Sequence, residues 1–182
     1  GEPDFTGGLT NTVSYKNLSL SVAMQFSYGA TVFNANLHSL TSGRDGHNQI
    51  AEMNTKSWSP TLYDADGNVF FAGNNEAKYR MPGGVALNYC TSKMLEDGSF
   101  LRIGDITLAY ALGKKVAKKV GMQNIKLFAS VKNLCVFTKY TGFDPEVNTR
   151  QGQTGDLMPS LDYSAYPRNR SYSVGFANMR FK

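Results

Sequence analysis

Leu18-Ser19-Leu20-Ser21-Val22-Ala23-Met24-Gln25-Phe26-Ser27-Tyr28 decides the fold: every second side chain is large and apolar, and those between are small or polar. A β-strand sends successive side chains to opposite faces, so this pattern means one apolar and one polar face. Eleven residues of it is the length of a tilted strand crossing a bilayer. Residues 5–15 behave similarly, with Phe5, Leu9, Val13 and Tyr15 on one parity and Thr6, Gly8, Thr10, Thr12 and Ser14 on the other. Gly7 and Asn11 thin its apolar face, and the intervening Lys16-Asn17 suits a tight hairpin turn.

Three more strands follow from the same reading. In residues 100–112, Ile106, Leu108, Tyr110 and Leu112 share one parity while Leu101 and Ile103 share the other. A one-residue bulge near Gly104-Asp105 brings both sets to one face. In residues 124–137, Ile125, Leu127, Ala129, Val131, Cys135 and Phe137 oppose Lys126, Ser130 and Lys132, with Asn133 as the exception. In residues 170–181, Tyr172, Val174 and Phe176 alternate with Ser171, Ser173 and Gly175 before the apolar parity passes to Met179 and Phe181, for which a second bulge is the expected repair.

The connections alternate between short and long. Residues 113–121 pair lysines at a spacing of four and predict a short amphipathic helix ended by Gly121. Its lysines read first as a solvated face and second as contacts to anionic lipid headgroups. The long connections are residues 29–99 and 138–169. Within the first, Tyr63 to Phe71 predicts a small hairpin turning at Asp66-Gly67; a calcium reading of Asp64 and Asp66 fails because Gly67 falls two positions early for an EF-hand loop.

Composition narrows the function. Of 182 residues only 18% are charged, and Asn, Ser and Thr together fill 43 positions, so polarity comes from neutral side chains. No run approaches the ~20 apolar residues of a membrane-spanning helix, which leaves barrel insertion open. Cys90 and Cys135 allow one optional bridge, and His38 and His47 are too few for a three-histidine metal site. The expectation is no enzyme, no metal and no cofactor. The net charge of +5 divides into −3 for residues 1–113 (7 basic, 10 acidic) and +8 for residues 114–182 (12 basic, 4 acidic). No zinc finger, helix-turn-helix or RNP-type strand accompanies the basic half, so no nucleic-acid partner is expected.

Period two is shared by soluble sandwiches, lipocalin-like barrels and membrane barrels. Strand length, neutral polar parities, aromatics at strand ends (Phe5, Tyr15, Tyr28, Phe100, Tyr110, Phe137, Tyr172, Phe181) and the short/long alternation favour the membrane. With short turns periplasmic, strand one descends and strand five ends in the periplasm. Single-chain bacterial barrels have even strand numbers and an edge in lipid must be paired, so five strands predict the C-terminal piece of a larger barrel. The expected fold is all-β: antiparallel transmembrane β-barrel strands with long extracellular loops and one short periplasmic helix.

Several motifs then carry a resemblance. Phe5-Thr6-Gly7-Gly8-Leu9-Thr10-Asn11, Leu95-Glu96-Asp97-Gly98-Ser99-Phe100-Leu101-Arg102-Ile103, Ile106-Thr107-Leu108-Ala109-Tyr110 and Gly142-Phe143-Asp144-Pro145-Glu146-Val147-Asn148 resemble consecutive C-terminal motifs of SusC/RagA-type TonB-dependent transporters. So do Lys132-Asn133-Leu134 before Phe137-Thr138-Lys139-Tyr140, and Ala165-Tyr166-Pro167-Arg168 before the last strand. The resemblance implies a barrel of about 22 strands in the outer membrane of a Gram-negative bacterium. It also implies a SusD-like surface lipoprotein as lid, import of oligosaccharides or peptides, and TonB engaged through an N-terminal region upstream of these residues. Family members end on an aromatic residue read by the barrel-assembly machinery; here Lys182 follows Phe181, which is the candidate for that role.

The site residues expected on this reading fall into two groups. Trp58, Tyr63, Phe70, Phe71 and Tyr79 are candidates for substrate or lipoprotein contact, or alternatively tie the long loop down. Leu18, Leu20, Val22, Met24, Phe26, Tyr28, Ile106, Leu108, Tyr110, Tyr172, Val174 and Phe176 are expected to face outer-membrane lipid. Asp144, Glu146 and Arg150 read more readily as a local turn or ion pair than as a substrate site. A soluble carbohydrate-binding β-sandwich is the alternative, and a complete eight-stranded barrel enzyme is weaker still for want of strands and a catalytic cluster.

Overall fold

The computed structural model describes residues 1–43, 46–82, 91–119, 122, 124–147, 149 and 160–179. Five long strands, β1 (Phe5–Tyr15), β2 (Leu18–Tyr28), β7 (Phe100–Ala111), β8 (Asn124–Thr138) and β10 (Ser171–Met179), form one sheet in the order β1-β2-β7-β8-β10 with every neighbour antiparallel. The first two match the expected bounds, β7 stops one residue short of Leu112, and β8 runs one residue past Phe137. No helix of the described residues is long and apolar enough to cross a membrane, which says nothing of crossing by strands.

The register turns sequence parity into two faces. Across the sheet, Tyr15, Leu18, Tyr110, Leu127 and Phe176 stand in one row, Val13, Leu20, Leu108, Ala129 and Val174 in the next, and Asn11, Val22, Ile106, Val131 and Tyr172 in a third. Met24 then pairs with Ile103 and Phe26 with Leu101, so the two apolar parities of β7 do reach one face. Gly104 is the residue skipped in the ladder with β2. In the ladder with β8 the pairs Asp105–Lys132 and Ile103–Cys135 bracket Asn133, whose φ of +53° is the left-handed kink of a bulge. The opposite face carries Thr12, Ser21, Thr107, Ser130 and Ser173 in one row and Asp105 beside Lys132 in another.

Among the described residues the second expected bulge is absent. The ladder between β10 and β8 runs from Ser171 to Met179 without a shift, because the parity change falls where the apolar row has already ended. Phe181 lies outside the described residues, as do Cys90, Gly121 and Arg150.

The apolar face is bare: Val13 is 61% exposed, Tyr172 69% and Val174 87%. Water does not tolerate a band this extensive without a covering layer, and among the described residues none lies over it. Where glycine interrupts the face, an aromatic ring fills the gap: a Cβ on Gly7 would stand 2.6 Å from the ring of its partner Phe26.

At one end the connections are tight. Lys16 adopts φ +52° in the two-residue turn between β1 and β2, and α3 (Lys114–Lys119) joins β7 to β8 with Ala117 buried and Val116 exposed. At the other end the long connections build structure of their own. β3 (Thr31–Asn34) pairs with β6 (Leu95–Asp97) and, in parallel, with β9 (Leu161–Asp162). The β3–β6 pair continues the β2–β7 pair outward, so residues 35–94 are inserted into the tip of an extended ribbon. That insertion holds α1 (Ala35–Thr41), capped by the Asn34 side chain accepting from Leu37 N, and α2 (Met53–Lys56), whose Met53 is 1% exposed.

Candidate functional site

The polar face at the long-loop end holds a closed ionic cluster. β7 places Arg102 on the parity opposite Leu101 and Ile103, so its guanidinium enters the polar side, where it is 3% exposed. It donates to Asn133 Oδ1 at 2.7 Å and to Asp144 Oδ1 at 2.6 Å, with Glu146 Oε2 at 3.6 Å. Arg168, from the segment before β10, binds Asp144 Oδ2 at 3.3 Å and Glu146 Oε2 at 3.1 Å. Gln25 of β2 donates to Glu146 at 3.0 Å, and the Glu146 amide donates to Asp144 Oδ1 at 2.9 Å. Two cations and two carboxylates thus balance, and the Phe100 ring lies under Arg102 at 5.5 Å. Breaking such a pair costs more than making it gains, so the cluster fixes where residues 142–147 and 168 sit on the wall.

Asp144 and Glu146 are therefore a turn and an ion pair together, but the pairing reaches 42 residues back to Arg102. An open groove of about 780 Å³ adjoins the cluster, lined by Gln25, Ser27, Phe100, Pro145, Glu146 and Arg168 among others.

A second cluster locks the loops to each other. Asp162, fully buried, accepts from Tyr140 Oη at 2.5 Å and from Asn36 Nδ2 at 2.9 Å. Burial first, then the bond to Asp162, pushes the Tyr140 hydroxyl well above its ordinary value, so it stays a donor. Glu96 accepts from Asn34 Nδ2 and from both the amide and hydroxyl of Thr141. Four chain segments distant in sequence, around Asn34–Asn36, Glu96, Tyr140–Thr141 and Asp162, are tied together by these bonds.

In the inserted segment, Glu52 accepts from Tyr79 Oη at 2.9 Å and pairs with Lys78 at 3.1 Å and Lys56 at 3.2 Å. The Tyr79 hydroxyl first, then both lysines, hold its carboxyl down at about 2. Asp64 is a turn cap: its Oδ1 accepts from the amides of Asp66 and Asn68 where β4 (Leu62–Tyr63) turns into β5 (Val69–Phe71), with Gly67 at φ +82°. Trp58, Tyr63, Phe70 and Phe71 are 43%, 63%, 79% and 48% exposed, so they are not sunk as loop anchors, while Tyr79 is half-buried. The sequence does not show the Arg102–Arg168 cluster as a unit; its one signal there is an arginine on the polar parity of a membrane-type strand.

No family model matches the chain. Among curated proteins it is 34% identical over 181 residues to TonB-dependent receptor P3 of Formosa agariphila, covering 98% of this chain and 16% of that receptor. It is 26% identical over 174 residues to TonB-dependent receptor P26 of the same organism, covering 95% of this chain and 16% of the relative. It is 25% identical over 178 residues to TonB-dependent receptor SusC of Bacteroides thetaiotaomicron, covering 96% and 15%. The chain thus spans about one-sixth of the length of these relatives. Among solved structures, the RagAB peptide importer in the open-open state matches with a TM-score of 0.71 at 23% identity, over 96% of this chain and 17% of that one. The RagAB peptide transporter matches with a TM-score of 0.69 at 21% identity, again over 96% and 17%. At such identities these two speak for the fold, and that fold is barrel wall with its loops, not a sandwich. By its sequence over nearly all its length and by its fold, the chain is a β-barrel segment of a SusC/RagA-type TonB-dependent receptor.

Proposed function

We propose that the chain forms part of the wall and outer loops of an outer-membrane transporter that imports oligosaccharides or peptides with energy relayed by TonB. The observation that carries this is the five-stranded sheet itself: apolar rows on one face, Ser/Thr rows on the other, and β1 and β10 each with one unpaired edge among the described residues. Leu18, Leu20, Val22, Met24, Phe26, Tyr28, Ile106, Leu108, Tyr110, Tyr172, Val174 and Phe176 meet lipid, and the polar face lines the lumen. The rest of the barrel pairs the two edges. The long-loop end is extracellular, α3 and the C-terminus are periplasmic, and Phe181 serves barrel assembly. A SusD-like lipoprotein closes over the loops, where the exposed Trp58, Tyr63, Phe70 and Phe71 and the half-buried Tyr79 meet it or the substrate. TonB acts through a region outside these residues.

The test is uptake. Cells carrying the whole receptor accumulate radiolabelled oligosaccharide or peptide pools, and accumulation falls to background when either the receptor or TonB is removed. Uptake that survives the loss of TonB overturns the proposal.

A further inference from the structure

We infer that α3 is an interfacial anchor for anionic phospholipid, its lysines set against phosphodiester headgroups and Val116 against the start of the acyl chains. The Ala111 amide donates to the Asn17 carbonyl and the Leu112 amide to the Ile125 carbonyl, both at 2.8 Å, so the helix leaves the sheet at the row that holds Tyr15, Leu18 and Tyr110. Tyr15 is 70% exposed and Tyr110 46%. Aromatic rings at the rim of a membrane wall sit at headgroup level. α3 begins four positions after Tyr110, and the Lys16 ammonium, 5.2 Å from the Tyr15 ring, stands at the same level.

Ala117, fully buried, marks the side of the helix that meets the protein. At about 100° per residue, Lys115 and Lys119 then point away from it, Lys114 and Lys118 lie on one flank, and Val116, 51% exposed, lies on the other. All four lysines are exposed, and among the described residues no ion pair or hydrogen bond engages their ammonium groups. Lys114 with Lys118 and Lys115 with Lys119 are like charges one turn apart, which destabilises a helix, and six residues are too few for one to stand alone in water. An anionic surface laid against α3 replaces that repulsion by attraction.

The charge at this end has one sign by sequence alone. Counted from the row of Val13, Leu20, Leu108, Ala129 and Val174 through the short connections, residues 13–20, 108–129 and 174–179 hold six lysines and no Asp or Glu. The one carboxylate of the five strands, Asp105, stands opposite Lys132 on the polar face. The sign selects an anion. The bare apolar face that starts at the same rim selects one that carries acyl chains, because a phosphate held at α3 sets its chains along the wall. A lysine's long stem lets its ammonium reach that phosphate, and each lysine beside an anionic bilayer contributes about a fivefold gain in binding.

This inference rests on the membrane reading of the wall, and on the import reading only for making the leaflet periplasmic, so it is tested by lipid binding and not by uptake. The delipidated whole receptor, its folding checked by heat-modifiability, is mixed in detergent with equimolar phosphatidylglycerol and phosphatidylcholine, and retained lipid is counted by native mass spectrometry. Phosphatidylglycerol is expected to be favoured, and the preference to fade with salt. Lys115→Gln with Lys119→Gln is expected to lower it about fivefold per lysine, and Lys115→Arg with Lys119→Arg to keep it. Lys126→Gln removes the same kind of charge at the same end but from the polar parity of β8, and is expected to leave the preference unmoved. Equal retention of the two lipids, a preference that the glutamines leave unchanged, or an equal loss in Lys126→Gln overturns the assignment. Glycerol 3-phosphate displacing the lipid as well as phosphatidylglycerol itself does overturns the lipid in favour of a small anion. A receptor that shows the preference yet takes up cargo without TonB overturns the import reading alone.

Discussion

The two-faced wall makes a depth-dependent prediction for a single arginine. Eleven residues of β2 climb ten steps of about 3.4 Å, and a tilt near 45° turns that into ~24 Å of height, matching the ~25 Å apolar band of a membrane barrel. Val22 lies four positions from Leu18 and six from Tyr28, so it stands ~10 Å from one aromatic row and ~14 Å from the other, close to the midplane. Val22→Arg therefore costs about 2–4 kcal/mol, Leu18→Arg at the rim about 0–1 kcal/mol, and Ser21→Arg, turned to the wet face opposite Thr12 and Thr107, less than Val22→Arg at nearly the same height. A ~3 kcal/mol gap is a factor of about a hundred in the ratio of assembled to unassembled receptor. The assay is refolding of the whole receptor into phospholipid vesicles, read by the urea midpoint and by the heat-modifiable fraction. Equal cost at Val22 and Ser21, or a cost at Leu18 as large as at Val22, would refute the assignment of faces.

Two further outcomes test the loop anchors. Arg102→Met leaves Asp144, 4% exposed, with the half-exposed Arg168 as its one cation among the described residues, and should cost about 3–5 kcal/mol in thermal unfolding, most of it recovered by adding Asp144→Leu; a single-variant cost below about 1 kcal/mol would reduce the cluster to a surface pair. For Tyr140 the folded state raises the hydroxyl's pKa, so its contribution is complete below the ordinary tyrosine value of 10.0 and is lost as pH climbs beyond it. Tyr140→Phe should cost about 1–3 kcal/mol at neutral pH and make proteolysis of the loops less sensitive to pH above 10; an unchanged alkaline profile would disprove the link.

What the sequence made legible was whatever repeats at short range. The strands announce themselves because lipid-type packing demands the same residue class at every second position, and the Gly104 bulge because Ile103 and Ile106 cannot otherwise share a face. Asn133 stood out as a parity exception, and it is the left-handed residue of the β8 bulge. The parity change after Phe176 looked the same on paper but carries no bulge, since a strand end no longer has a face to keep. The interior of residues 29–99 was hidden for a different reason. Val32 and Phe33 form a strand only because Leu95 and Leu161 arrive beside them, and no local propensity reports a partner more than 60 residues away. Arg102 likewise takes its meaning from Asp144 and Arg168, which are brought to it by the chain's return path.

The extended ribbon formed by β2–β7 and β3–β6 separates what is architectural from what is replaceable. Both ends of the 35–94 insertion leave the same paired stem, with Thr31 opposite Asp97 and Phe33 opposite Leu95, so the wall senses only the two feet of that stem and not what is mounted between them. Lengthening an insertion whose ends are already held together costs little, about 0.6 kcal/mol per doubling. The surface at the long-loop end can thus be exchanged as a cartridge while the strands beneath keep their register and the barrel its bore.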